Sequence, residues 1–272
     1  MRAKDLMLLL ASGFGTALAL APLILILWEE FTIGLQVLME KGLSFLTEAP
    51  PLPGGGIGGI GTVLQGTLVM VGVGSLIGIP IGFFSGFYMY EFPTDRLAKL
   101  GRSLIDMMVE FPTIIVGVVV YLLLVVPTGR LSTLAGAFSL AIIEIPYVAT
   151  GVLSAFESLP KDIREGAYAL GLKRWEVMKI LIGAARSGIL TSILIGVSKI
   201  VGETAPLLFT TTTSFNLPFR SLLKPVSAIP VLIYIYAASP YENWHLNAWG
   251  ASLVLTLMIL AIYVSTRLFT KR

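Results

Sequence analysis

Apolar residues in this chain come in long runs, and six of the runs reach the roughly 20 residues needed to cross about 30 Å of hydrocarbon. They fall near 6–28, 62–90, 101–126, 131–155, 181–210 and 247–268. Hydrocarbon offers the backbone no hydrogen-bond partner, so a spanning segment is either helical or part of a closed barrel. Near-continuous runs without a period of 2 select helices. The pattern predicts an all-α integral membrane protein with six transmembrane helices. The turn Pro127-Thr128-Gly129-Arg130 makes the third and fourth spans an antiparallel hairpin. The first run follows Arg2 and Lys4 as in a signal peptide, but it is too long for one, and Trp28 with Glu29 and Glu30 reads as an interfacial stop. The stretches 29–61 and 211–246 then become long outer loops, with Trp244 and Trp249 in an aromatic belt where the last span begins.

Composition sharpens this picture. Only 13% of residues are charged and 56% are hydrophobic, which is far from a soluble domain. There is no cysteine and one histidine, which excludes disulfides and thiolate metal sites and argues against an all-protein zinc site. The net charge of +3 implies no nucleic-acid partner. Its distribution says more. With the N terminus inside, the inner segments hold Arg2, Lys4, Arg96, Lys99, Arg102, Lys161, Arg164, Lys173, Arg174, Lys179, Arg186, Arg267, Lys271 and Arg272, which is 14 of the 19 basic residues. Only Lys41, Arg130, Arg220 and Lys224 fall outside, and Lys199 sits within a span, so both termini are expected in the cytoplasm.

Two glycine patterns bear on nucleotides. Gly56-Ile57-Gly58-Gly59-Ile60-Gly61 has the spacing of a dinucleotide loop but follows a proline-rich stretch rather than a strand, so it reads as a close-packed approach to the second helix. A phosphate-loop motif is absent, so any ATP would be hydrolysed by another chain. The segment 158–175 reads as a short surface helix. Ser158 is its expected N-cap, Pro160 suits the first turn, Asp162 and Glu165 favour its positive end, and Gly171 supplies a left-handed stop. An amphipathic stretch, Arg174–Ile180, leads on into the fifth span.

Glu165-Gly166-Ala167, with Gly171 six residues after the Glu, resembles the EAA loop of type I ABC importer permeases. The segment from Ser198-Lys199 through Gly202-Glu203-Thr204-Ala205-Pro206-Leu207 is similar to the Gly-Glu-Thr-Ala-Pro-Leu segment of phosphate permeases of the PstA type. Lys199 stands where that family has arginine, which keeps the charge and loses the bidentate fork. Phe111-Pro112-Thr113 through Gly117 and Gly55 through Thr62 also look like family positions, whereas Pro146-Tyr147-Val148 departs from an Arg-Glu-Glu pattern. The resemblance implies a type I ABC importer permease fold, divided into an N-terminal helix and outer loop (1–61) and a transmembrane domain (62–268). It further implies a coupling loop at 158–180 in which Glu165, Gly166, Ala167, Ala169, Leu170, Gly171 and Trp175 meet an ATPase. The implied partners are a homologous permease in a heterodimer, two ATPase subunits carrying ATP-Mg, and an extracytoplasmic phosphate-binding protein. The chain itself is expected to be no enzyme and to bind no cofactor.

Charges inside the spans supply candidate pathway residues. Lys199 lies 13 residues past Arg186, roughly 20 Å deeper along a helix, and Glu203 at i+4 can pair with it. This lysine is expected to draw in an oxyanion while Glu203 keeps binding weak, with Thr204 adding a hydroxyl. A purely structural ion pair is the alternative. Asp106 and Glu110 are placed in the inner third of the third span, where carboxylates near a helix N-terminus are stabilised without a transport role. Glu144, halfway along the fourth span, is either a proton-linked or gating group or a hydrogen-bond partner across the bundle. Inorganic phosphate is the expected substrate, with sulfate or molybdate as alternatives. A proton-coupled secondary transporter is the reading from another class, and no nucleophile and base pair supports an enzyme.

Overall fold

The computed structural model describes residues 3–270, most of them helical. Arg2, Lys271 and Arg272, which entered the charge distribution, lie outside the described residues. The first helix, α1 (Ala3–Lys41), does not stop at Trp28-Glu29-Glu30 as expected. Glu30 is buried, and its Oε1 accepts hydrogen bonds from Ser252 Oγ at 2.9 Å and Thr256 Oγ1 at 2.7 Å. A carboxylate satisfied by a neighbouring helix gives the chain no reason to end its own. From Leu9 to Glu29, α1 turns its side chains outward around its whole circumference.

After α2 (Ser44–Thr47), the glycine-rich stretch runs back along residues 45–49, where Ile60 N–H donates to Phe45 O at 2.7 Å and Gly61 N–H to Glu48 O at 2.8 Å. A Cβ at Gly59 or Gly61 would stand 2.4 Å from a backbone oxygen of that segment, so the expected close packing is present. Next, α3 (Gly61–Glu91) lays Gly74, Gly78, Gly82 and Gly86 against the helix that carries residues 133–157. Small residues four apart let two backbones approach closely where lipid supplies no hydrophobic drive between helices.

The expected third span is broken. The helix α4 (Arg96–Glu110) ends, Phe111 takes extended angles (φ −72°, ψ 133°), and the chain resumes as α5 (Thr113–Val120), a π-helical turn (Tyr121–Val125) and α6 (Val126–Thr128). The two halves meet at 105°. Pro112 explains the break, since proline disfavours helical angles in the residue before it. This overturns the dipole argument for Asp106 and Glu110, which lie in the second half of α4 with Glu110 at its negative end. The turn at Gly129 is left-handed (φ 64°), as a tight hairpin requires.

Next, α7 (Thr133–Glu157) is the most buried helix of the bundle, capped where Ser132 Oγ accepts from Ala135 N–H at 3.1 Å. Ser158 belongs to its end and not to the start of the next helix, because its Oγ donates to Ala155 O. The surface helix α8 (Lys161–Ala169) therefore begins after Pro160. It ends as expected at Gly171 (φ +75°), where Gly171 N–H bonds Tyr168 O and Leu172 N–H bonds Ala167 O in the double-bonded left-handed cap. The following helix, α9 (Arg174–Val201), starts with Glu176 accepting from Lys173 N–H at 2.7 Å and ends at Val201, nine residues before the end of the expected span.

Beyond it come α10 (Leu207–Thr210), α11 (Ile229–Ala237) and α12 (Glu242–Thr270). The region 211–246, expected as an outer loop, instead seats α11 in the core, with Ile229, Leu232 and Tyr236 fully buried. Trp244 stacks on Tyr236 at 4.2 Å and its Nε1 donates to Pro51 O at 3.1 Å. It thus pins the 50s segment. Among the described residues, five helices are long and apolar enough to cross a membrane, and the bent α4 to α6 pair makes a sixth if counted as one span. The molecule is a multi-pass membrane protein.

Candidate functional site

Lys199 stands in the last turn of α9, and Glu203 follows in the irregular stretch after Gly202. They pair as expected, with Nζ 2.9 Å from Oε1, although the helix that was to align them has already ended. The carboxylate is 8% exposed and the lysine side chain 39%, so the pair leaves its cation on the open side. The lysine Nζ also sits 5.8 Å from the ring centre of Tyr147 on α7. That tyrosine lines a cleft of about 210 Å³ together with Met108, Phe111, Thr113, Val116 and Ile143. The ensemble is a cation beside an apolar cleft, held from behind by a buried acid. Thr204 is half-buried next to Glu203, with its carbonyl taken by Leu207 N–H and Leu208 N–H.

The other pathway candidates are not in this group. Glu144 is fully buried where α3, α7 and α9 cross, and its Oε1 accepts from Ser75 Oγ at 3.0 Å. Its Oε2 has no partner among the described residues, and it fits there because Gly78 and Gly196 leave space for it. The hydrogen bond across the bundle is thus the expectation that the geometry matches. Ser75→Val should destabilise the protein by about 1–3 kcal/mol by orphaning a buried acceptor, read as a lower unfolding midpoint in detergent. Asp106 and Glu110 are exposed on α4, the helix that supplies Met108 to the cleft. Tyr147 was missed by the sequence, where its position showed only as a departure from a family pattern.

The second cluster is the tip around α8. Glu165, Gly166, Ala169, Leu170 and Gly171 are exposed, as is Trp175 at the start of α9, while Ala167 alone of the group faces inward. Leu170 is 80% exposed and Tyr168 and Trp175 also present large apolar surface beside Glu165, which has no ion-pair partner among the described residues. A Cβ added at Gly166 would meet nothing within 4 Å. The inward side is anchored by Ala167, Ile163 and Leu172 against Phe156, Val177 and Leu181. This short helix is firmly seated on one face and bare on the other.

A bundle of this topology, with a surface helix between the membrane helices α7 and α9, has the fold of the transmembrane component of ABC importers. It matches the MetNI methionine ABC transporter, solved in inward-facing conformations, with a TM-score of 0.66 at 19% identity over 78% of this chain and 94% of that one. An amino acid ABC transporter structure gives a TM-score of 0.59 over 77% and 92% of the two chains, at 18% identity. The family described as "Binding-protein-dependent transport system inner membrane component" matches residues 78–272. A probable phosphate transport system permease protein PstA of Methanocaldococcus jannaschii is 44% identical over 97% of this chain and 92% of its own. The PstA permeases of Haemophilus influenzae (39%, covering 89% and 86%) and Yersinia pestis (34%, covering 100% and 92%) are similar along nearly their whole lengths. The chain belongs to this family of binding-protein-dependent permeases, among its PstA-type members. It is a transport subunit that works within an ABC transporter complex, and the secondary-transporter reading is overturned.

Proposed function

We infer that this chain is a permease subunit of an ATP-driven importer that moves inorganic phosphate across the cytoplasmic membrane by alternating access. It pairs with a homologous permease as a heterodimer, above two ATPase subunits and below an extracytoplasmic phosphate-binding protein. ATP-Mg is used on the ATPase subunits, and this chain binds no cofactor. Both termini and the α8 tip face the cytoplasm, a placement supported by the basic residues gathered on that side. The observation that carries the substrate is the Lys199 cation beside an apolar cleft, in a chain whose relatives are named for phosphate transport.

The chemistry follows from the donors. A lysine ammonium has three N–H groups, and Glu203 engages one, leaving others for an anion. In a low-dielectric cleft such contacts strengthen, and the competing carboxylate keeps the anion from being trapped. Thr204 adds a hydroxyl donor, and Asp106 and Glu110 add negative charge on α4, the helix that supplies Met108 to the cleft. Glu144 holds the helices behind this path together. At the tip, Glu165, Gly166, Ala169, Leu170, Gly171 and Trp175 dock in the ATPase, with Ala167 as the seat of α8.

Reconstituted with its partner chains and a binding protein loaded in turn with phosphate, sulfate or molybdate, the complex should hydrolyse ATP faster with phosphate alone. Stimulation by another anion would transfer the proposal to that anion. Glu165→Lys should lower phosphate uptake by about tenfold or more, since a reversed charge in a docking surface costs on the order of 1–3 kcal/mol. Gly171→Pro should do the same by disrupting the left-handed cap, with the subunit still in the membrane. Normal uptake and normal ATPase binding by both variants would refute the docking assignment.

A further inference from the structure

The end of α3 touches both arms of the α8 tip through three consecutive residues. The Glu91 side chain, 3% exposed, accepts from Arg164 Nη2 of α8 at 3.2 Å and from Arg174 Nε, the first residue of α9, at 2.9 Å. On either side of it, Tyr90 lies 5.7 Å beneath the Arg164 guanidinium and Phe92 lies 4.6 Å beneath that of Arg174. One buried carboxylate thus gathers the segments before and after the Gly171 turn, and two aromatic rings hold the guanidinium planes.

Two local rules are broken at this one place. Glu91 is the last residue of α3, where the helix dipole disfavours an anion, and Arg174 is the first of α9, where it disfavours a cation. A buried carboxylate paired with two partly exposed guanidinium groups gains little stability over a well-packed apolar contact. Its position accounts for it. From Glu91, α3 runs back along α7 through Gly86, Gly82, Gly78 and Gly74, and α7 carries Tyr147. From Arg174, α9 runs to Lys199. Thus α9, which carries Lys199, is tied at its opposite end by one carboxylate to α3, the helix packed along the Tyr147-bearing α7, next to the helix that would receive the push of an ATPase.

We propose that Glu91 is the positioning residue that makes α3 and α9 move as one body with α8, so that displacement of the tip reaches the Lys199 cleft. The proposal rests on the tip being the ATPase-docking element. The decisive quantity is phosphate transported per ATP hydrolysed by the complete reconstituted complex, because a merely stabilising residue would change the yield of complex and leave that ratio alone. Glu91→Gln keeps the shape and removes the charge, and the ratio is expected to fall at least about tenfold, with ATPase binding and basal hydrolysis within about twofold of the parent. Glu91→Asp should recover part of the ratio. Arg164→Gln with Arg174→Gln should reproduce the defect, and adding Glu91→Gln to that pair should worsen it no further. If Glu91→Gln does not assemble, Arg164→Lys, which keeps the charge and loses the fork, should lower the ratio by itself. An unchanged ratio in whichever of these variants assembles overturns the proposal. Glu165→Lys in the same assay separates the two ideas: if it leaves ATPase binding and uptake intact, the docking assignment fails, whatever Glu91 does.

Discussion

Replacing Lys199 with methionine is expected to stop phosphate-dependent transport and also to lower the amount of assembled subunit, and a second substitution should separate these two effects. Glu203 is 8% exposed as a side chain, so losing its partner leaves a buried charge, a change that costs about 3–5 kcal/mol in a fully buried pair. The lysine is 39% exposed, so screening reduces that to about 2 kcal/mol here. Lys199→Met with Glu203→Gln removes both charges and should restore assembly. Transport should stay down by about 100-fold, the scale of a lost charge-assisted contact worth about 3 kcal/mol. Uptake by reconstituted vesicles and yield on size-exclusion chromatography measure the two quantities. A double variant that imports phosphate at the parent rate would reduce Lys199 and Glu203 to a structural ion pair.

The largest expected loss of stability comes from Gly66→Ala. A Cβ there would stand 1.9 Å from Ser227 O and 2.9 Å from Val226 Cγ2, and a backbone carbonyl cannot swing aside as a side chain can. The adjoining Thr67 Oγ1 accepts from Ile229 N–H at 2.9 Å, so any retreat of the 226–229 segment also breaks a buried hydrogen bond. The cost should be about 3 kcal/mol or more. Gly72, six residues on in α3, has nothing within 4 Å of its would-be Cβ. Gly72→Ala should be neutral or stabilising by up to about 1 kcal/mol, since alanine is the better helix former. Thermal unfolding of both variants in the same detergent tests the contrast. Equal midpoints would mean that the 226–229 segment is not seated against α3 as described.

Local signals were legible where local chemistry decides. The second, fourth and last spans, the Gly129 turn and the left-handed stop at Gly171 follow from runs of apolar residues and from glycine's freedom at positive φ. What escaped depends on partners distant in the chain. Glu30 looks like a stop until Ser252 and Thr256 on α12 are known to satisfy it. Prolines show the same limit, because Pro22, Pro80 and Pro146 lie inside continuous helices while Pro112 separates two that meet at 105°. The candidate site was half legible. Lys199 and Glu203 announce themselves as charges in an apolar run, whereas Tyr147 joins them only because α7 and α9 converge, and Glu144 leaves the cleft because glycines on two neighbouring helices enclose it.

The outward-facing stretch of α1 from Leu9 to Glu29 also bears on biogenesis. A helical stretch whose side chains face outward from Leu9 to Glu29 can enter lipid before the rest of the bundle has assembled, as the first of two stages of membrane folding. By contrast, α7, with Glu144, Ser139 and Thr133 buried along it, gains its stability only when α3 and α9 enclose it. The chain thus inserts its most self-sufficient segment first and completes its most dependent one only after α9, some 40 residues later, has been synthesised.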